Sequence, residues 1–295
     1  MNWLVISDDK KYLDEAKELI SVKFKDSIIY SSSSDSKELK EIIQILPEIS
    51  HAVIFTSISK NPLLTYIAGF ICGSDTQVYT SDEAFGEALI EFDLVQIFET
   101  PELLLEFIDE KSDEIIEENF QAEAYDYLYQ NGYPFDADNF GVYISKWKKN
   151  ICECYLASGM SPNARDKDGT PMLNIACRSD NLSAVKWLLN NGAELNGVSK
   201  DRGYTAIMDA VWRGNEDITK FLIRKGAELN TISKEGQTML ILAVGADKTE
   251  IVRMLAENGA DPDIQDGMGM SAYGYAQLFK KEEILSILEK YHKEQ

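Results

Sequence analysis

Two rhythms of apolar residues divide the chain. Over residues 1–118, short runs rich in β-branched and aromatic residues alternate with stretches whose apolar positions recur every three to four residues. The runs WLVIS (3–7), SIIYSS (27–32), HAVIFTS (51–57), TQVYTS (76–81) and LVQIFET (94–100) predict five strands. A helical stretch follows each, the last being PELLLEFIDEKSDEIIEEN (101–119). Five successive βα units predict a parallel sheet with helices on both faces, a flavodoxin- or Rossmann-like α/β domain over residues 1–118.

From residue 119 the helical period takes over and repeats. Four blocks fall into register: KNICECYLASGMSPN (149–163), LSAVKWLLNNGAELN (182–196), EDITKFLIRKGAELN (216–230) and TEIVRMLAENGADPD (249–263). Their glycines, Gly159, Gly192, Gly226 and Gly259, are 33, 34 and 33 residues apart. Each block predicts an amphipathic helix, with Val185, Leu188 and Leu189 on the apolar face of the second and Ile218, Phe221 and Leu222 on that of the third. The glycine ends the helix because it takes the left-handed conformation cheaply. A turn and a shorter helix lie between blocks, and Thr205, Thr238 and Ser271 are placed to cap that helix.

Turn, helix, helix and glycine at a period of about 33 resembles the ankyrin repeat, over roughly residues 120–295. The family's Thr-Pro-Leu-His signature reads PMLN, TAIM, TMLI and SAYG here, with the Thr170-Pro171 pair shifted by one place. The expected second domain, residues 119–295, is a solenoid of about four repeats behind an N-terminal capping segment. That segment is AEAYDYLYQNGYPFD (122–136), whose Gly132 precedes Gly159 by only 27 residues, so that about six residues of turn are absent. At the other end, Ile284, Leu285 and Leu288 keep the pattern and His292 stands where glycine would be.

Ankyrin stacks bind proteins through their turn tips and inner-helix faces. By position, the resemblance implies partner contacts at Lys167, Arg178, Arg202, Tyr204, Trp212, Arg213, Gln237, Met268 and Met270. Tyr204, Trp212 and Arg213 are of the residue types that dominate binding energies, in slots expected to face outward. Gly245 and Ala246 leave a shallow gap beside Trp212 in the next unit.

Charge and composition narrow the function further. The net charge is −21, of which residues 1–118 carry −16 from 25 acids and 9 bases. Phosphate backbones are repelled, so nucleic acid is not the expected partner. Two histidines and four cysteines without zinc-finger spacing leave no metal site or Ser-His-Asp triad, and no cofactor is implied. No apolar run reaches the length of a membrane span. The opening MNWLVISDDKK reads as a first strand, not a signal peptide, and predicts cytoplasmic residence.

Ligands of parallel sheets bind beyond the carboxyl ends of the strands, which here offer Asp8, Asp9, Thr56, Ser57 and Thr80. ISDDKKYLDEAKELI resembles the opening of a response-regulator receiver, with Asp8 and Asp9 as its acid pair. Thr56-Ser57 stands where that family carries its phospho-acceptor aspartate, so no aspartyl phosphate forms. LLTYIAGFICGSDTQVYT resembles a segment of nucleoside deoxyribosyltransferases, with Thr65 in the place of the catalytic glutamate. The first strand is followed by no glycine-rich phosphate loop. With no complete catalytic set, the expected function is a non-enzymatic module that binds a partner protein of unknown identity. The second reading is a nucleotide- or nucleoside-binding or cleaving α/β domain with the repeats as a targeting arm.

Overall fold

Alternation of buried positions along the first strand sends side chains into two separate cores, and this defines the layers of the N-terminal unit. The computed structural model describes residues 1–25, 27–32, 41–55, 67, 70–71, 74, 76–82 and 95–293. They divide into two units, Met1–Phe120 and Gln121–Gln295. In the first, β1 (Asn2–Ile6), β2 (Ile28–Ser32), β3 (His51–Ile54), β4 (Gln77–Thr80) and β5 (Val95–Ile97) form one sheet in the order β2-β1-β3-β4-β5. Every pairing is parallel. Trp3 and Val5 pack with Ala16 and Ile20 of α1 (Lys10–Lys23) and with Leu104 and Ile108 of α2 (Pro101–Glu110). Leu4 and Ile6 face the opposite way, onto Ile42, Leu46, Ile67 and Ile71. A strand buried on both faces needs apolar residues throughout, which is why WLVIS lacks the polar alternation of a half-exposed strand.

The five predicted strands are all present, and the parallel sheet is the predicted one. The long helix expected over 101–119 is broken at Lys111, where α2 ends and α3 (Ser112–Gln130) begins. The helices expected over 61–73 and 82–92 lie largely outside the described residues, as do Thr65 and Cys72.

The second unit is a linear stack. Helix pairs run α4 (Ala137–Ser145) with α5 (Lys149–Ala157), α6 (Met172–Arg178) with α7 (Leu182–Asn190), and α8 (Ala206–Arg213) with α9 (Glu216–Arg224). Then come α10 (Met239–Gly245) with α11 (Thr249–Glu257) and α12 (Ala272–Leu278) with α13 (Glu282–Leu288). The capping segment therefore does more than expected: after Gly132 the chain enters α4 directly, capped by Asp136, and completes a pair without a turn finger. One apolar core runs from Leu128 to Leu288. Fully buried Leu188, Leu222 and Leu255 fill the same place in successive units, each contributing about 1.5–3 kcal/mol on burial.

Side chains from one unit satisfy backbone groups of the next. Asn163 Oδ1 accepts from Glu194 N at 2.7 Å, Asn196 Oδ1 from Glu228 N at 3.0 Å and Asn230 Oδ1 from Asp261 N at 2.8 Å. Asp263 closes the ladder by accepting from Lys293 N at 2.9 Å. The fingers are joined as well, Lys200 N donating to Gly169 O and Lys234 N to Arg202 O, both at 3.1 Å. That spacing leaves no room for a side chain at Gly203 or Gly236. A Cβ on Gly203 would meet Lys234 N at 2.8 Å, and φ there is already +71°.

Capping departs from expectation at one unit. Thr238 and Ser271 accept from Ile241 N and Gly274 N as predicted. Thr205 makes no cap hydrogen bond, and among the described residues its buried hydroxyl has no hydrogen-bonding partner. At α6 the cap slot is held by Pro171, whose side chain accepts nothing. His292 does not take the left-handed conformation that the glycine slot predicts. Its ring stacks on Tyr273 at 3.9 Å, and Nδ1 lies 2.5 Å from Asp263 Oδ1.

Candidate partner-binding surface

The residues at the C-terminal ends of the short helices form a rim. Repeat spacing places Arg178, Trp212, Gly245 and Leu278 in one slot, and Ser179, Arg213, Ala246 and Phe279 in the next. Trp212 is 51% exposed on the last turn of α8. Beside it, a Cβ added to Gly245 would meet nothing within 4 Å among the described residues, so the gap expected there is open. Leu278 and Phe279 continue the apolar rim at 62% and 52% exposure. The sequence reading missed both. Counting two periods on from Trp212 would have found Leu278.

The arginines of this region are held in place. Arg213 forks onto Asp180, with Nη2 and Nε at 2.7 and 3.1 Å from Oδ2. Arg178 is shared: Nε reaches Asp209 Oδ1 at 3.0 Å, and Nη1 reaches Asp201 Oδ2 at 2.9 Å. Asp209 is buried within α8, and Asn174 Nδ2 donates to its other oxygen at 2.8 Å. Burial raises the Asp209 carboxyl above its ordinary value, and Arg178, Asn174 and Arg202 oppose it without winning. At Asp201 burial also raises, but Arg178, Ser199 and the Arg202 amide prevail and hold the carboxyl well below its usual range. A guanidinium clamped between two carboxylates loses little rotamer freedom on binding a partner.

Tyr204 is a correction. It is 2% exposed and does not face outward. The finger folds back on the helix just before the cap, and this position turns inward: Thr170, in the same slot, is also buried. The Tyr204 carbonyl accepts from Ser199 N at 2.8 Å and from Asn174 Nδ2 at 3.0 Å, and its ring lies 4.9 Å beneath the Arg202 guanidinium. Gln237 and Met270, one and two units on, are half-buried for the same reason. At the tips, Lys167 is exposed and Met268 is 78% exposed. The rim thus gathers Trp212, Arg213 and Arg178, while Tyr204 supports it from beneath.

In the first unit, the Asp9 and Thr80 side chains at the strand ends are engaged locally. The Asp9 carboxylate caps α1, accepting from Lys11 N at 2.8 Å. Thr80 Oγ1 donates to Ile54 O at 2.8 Å and accepts from Asp82 N at 3.0 Å. Asp8 is exposed, and Thr56 and Ser57 lie outside the described residues. Among the described residues, no group of three or more His, Cys, Asp or Glu could hold a metal, and no helix is long and apolar enough to cross a membrane.

Comparison with known proteins agrees with the repeat geometry. Residues 142–233 match a family model of ankyrin repeats in three copies, and residues 222–276 match one of ankyrin repeats in many copies. An ankyrin repeat-containing protein of Treponema pallidum (strain Nichols) is 30% identical over 223 residues, which is 75% of this chain and 74% of the relative. That stretch is longer than the whole second unit, so the similarity reaches into the sheet unit as well.

Proposed function

The chain belongs to the ankyrin repeat proteins, and from that premise we propose that its solenoid binds a partner protein along the inner-helix rim, centred on Trp212. Ankyrin repeats generally mediate protein–protein interaction. The observation that carries the choice of site is an exposed Trp212 beside the open space over Gly245, flanked by arginines already clamped by Asp180, Asp201 and Asp209. Large aromatic side chains with polar neighbours fixed in advance are the usual centres of binding energy. Arg202, Lys167 and Met268 are peripheral contacts in this reading, and the acidic sheet unit is a companion module without its own catalysis.

Trp212→Ala, compared with the wild-type chain in quantitative affinity capture, is expected to weaken the partner by about 30-fold, the effect of roughly 2 kcal/mol. The side chain is half in solvent, so helical circular dichroism should not change. Undiminished capture of every partner by a folded variant would remove Trp212 from the site. We infer cytoplasmic residence from the free, buried thiols of Cys152 and Cys177, which suit a reducing compartment. The nucleotide reading gains no support from Asp9 and Thr80, whose side chains serve local backbone groups.

A further inference from the structure

The long helices carry a second, chemically different surface. Leu182 and Lys186 of α7 and Asp217, Lys220, Phe221 and Arg224 of α9 line a groove of about 230 Å³. Of its cations, Lys186 lies over the Phe221 ring, with Nζ 5.6 Å from the centroid, and Lys225, next to Arg224 in sequence, brings a further Nζ to 5.7 Å from it. On the neighbouring long helices, basic side chains are matched by acids. Lys149 meets Glu153 at 3.1 Å, and Arg253 meets Glu250 at 3.3 Å and Glu283 at 3.8 Å. Among the described residues, no carboxylate lies within 4.0 Å of the side-chain nitrogens of Lys186, Lys220, Arg224 or Lys225. All four are exposed, while Leu182 and Phe221 are half-buried and offer apolar surface at the groove floor. In a chain of net charge −21, such a cluster is a local inversion of sign.

We propose that this groove docks an acidic segment of a partner protein, one in which carboxylates flank an apolar side chain. The apolar side chain covers Phe221 and Leu182, and the carboxylates meet Lys186, Lys220 and Arg224. Charge complementarity selects the sign, and the ring selects against a bare anion. The Debye length of about 8–10 Å confines the attraction to the groove, while the rest of the chain repels extended polyanions. The site lies on the long helix of each pair, apart from the Trp212 rim, and stands independently of it.

The test uses the full chain and a fluorescein-labelled peptide centred on Asp-Glu-Phe-Glu-Asp, followed by anisotropy. Saturable binding is expected, weakened about tenfold or more by Lys220→Glu with Arg224→Glu, and equally by replacing the peptide's acids with their amides. Trp212→Ala should bind the peptide as wild type does, which separates this site from the rim. No binding of the acidic peptide overturns the proposal, as does equal binding by the charge-reversed chain or by the amide peptide. Displacement of the peptide by millimolar inorganic phosphate, or by phosphatidylserine vesicles, would assign the groove to small anions or lipid and would also overturn it. The substituted side chains are exposed, so thermal melting should be unchanged and a null result would not reflect misfolding.

Discussion

His51 shows how a single buried side chain makes the first unit sensitive to acid. Its ring stacks on Trp3 at 4.7 Å and on Tyr79 at 6.4 Å, and its Nδ1 meets Ser50 Oγ at 2.9 Å. Burial, with a smaller push from the chain's amino terminus, lowers its pKa from 6.5 to about 4. The unfolded chain therefore takes up this proton as pH falls through 6.5, and the folded chain takes it up only near 4. Stability is complete above pH 6.5 and declines between 6.5 and 4, by at most about 3 kcal/mol. Hydrogen exchange of the β1 amides in the full chain should quicken over that window, and His51→Phe should flatten the dependence. An unchanged slope in the variant would place the acid sensitivity elsewhere. At the same scale, some of the backbone was legible and some was not. Gly159, Gly192, Gly226 and Gly259 announce themselves, and each has φ between +86° and +97°. The links from short to long helix also need a left-handed residue, but only Gly214 is a glycine. Trp147, Asp180, Asp247 and Lys280 take φ of +49° to +57° there, which no sequence pattern betrays. Lys280→Gly should relieve this strain and raise stability by about 0.5–1 kcal/mol, read as a higher melting temperature. A lower melting temperature would mean that the lost side chain matters more than the backbone.

Between units, the most informative residue closes each of the four blocks. Asn163, Asn196, Asn230 and Asp263 recur at the repeat period, yet a polar residue after a helix reads only as turn until coordinates show where its side chain goes. Asn163 also donates to Gly192 O at 3.2 Å, so it ties two backbone groups of the following unit. Asn163→Ala should cost about 1–2 kcal/mol in urea unfolding, and Asn163→Asp, which keeps the acceptor, should cost less. Equal losses in the two variants would show that the acceptor bond is not the one that matters. The long helices were readable because their apolar stripes are wide. The short helices were less so: they are buried nearly all round, so periodicity gives no face and Thr205 looks like any other cap. Tyr204 misled for a related reason. Residue type suggested a binding side chain, but the fold of the finger decides direction, and it turns this slot inward.

Across the whole chain, the 33-residue period specified the solenoid, and the alternation of apolar runs specified the parallel sheet. The count of units was harder, because the first pair lacks its finger and so breaks the period that reveals the others. The binding rim was partly visible. Trp212 and Arg213 stood out by type, whereas Leu278 and Phe279 look like interior residues of a short helix and yet are 62% and 52% exposed. The basic groove was not visible at all, since Lys186 and Lys220 belong to different repeats and net charge hides a local change of sign.

The matching joints between units have one more implication. Asn196 and Asn230 each reach the same amide one step further along, so the array is cut to a gauge. Splicing residue 196 directly to residue 231 would hand Asn196 the amide that Asn230 now holds. The length of such a protein can therefore change by a whole module with this joint kept, and what that particular deletion would break is the bond from the buried Asn174 to Asp209, since the next unit carries Leu242 in the Asp209 slot.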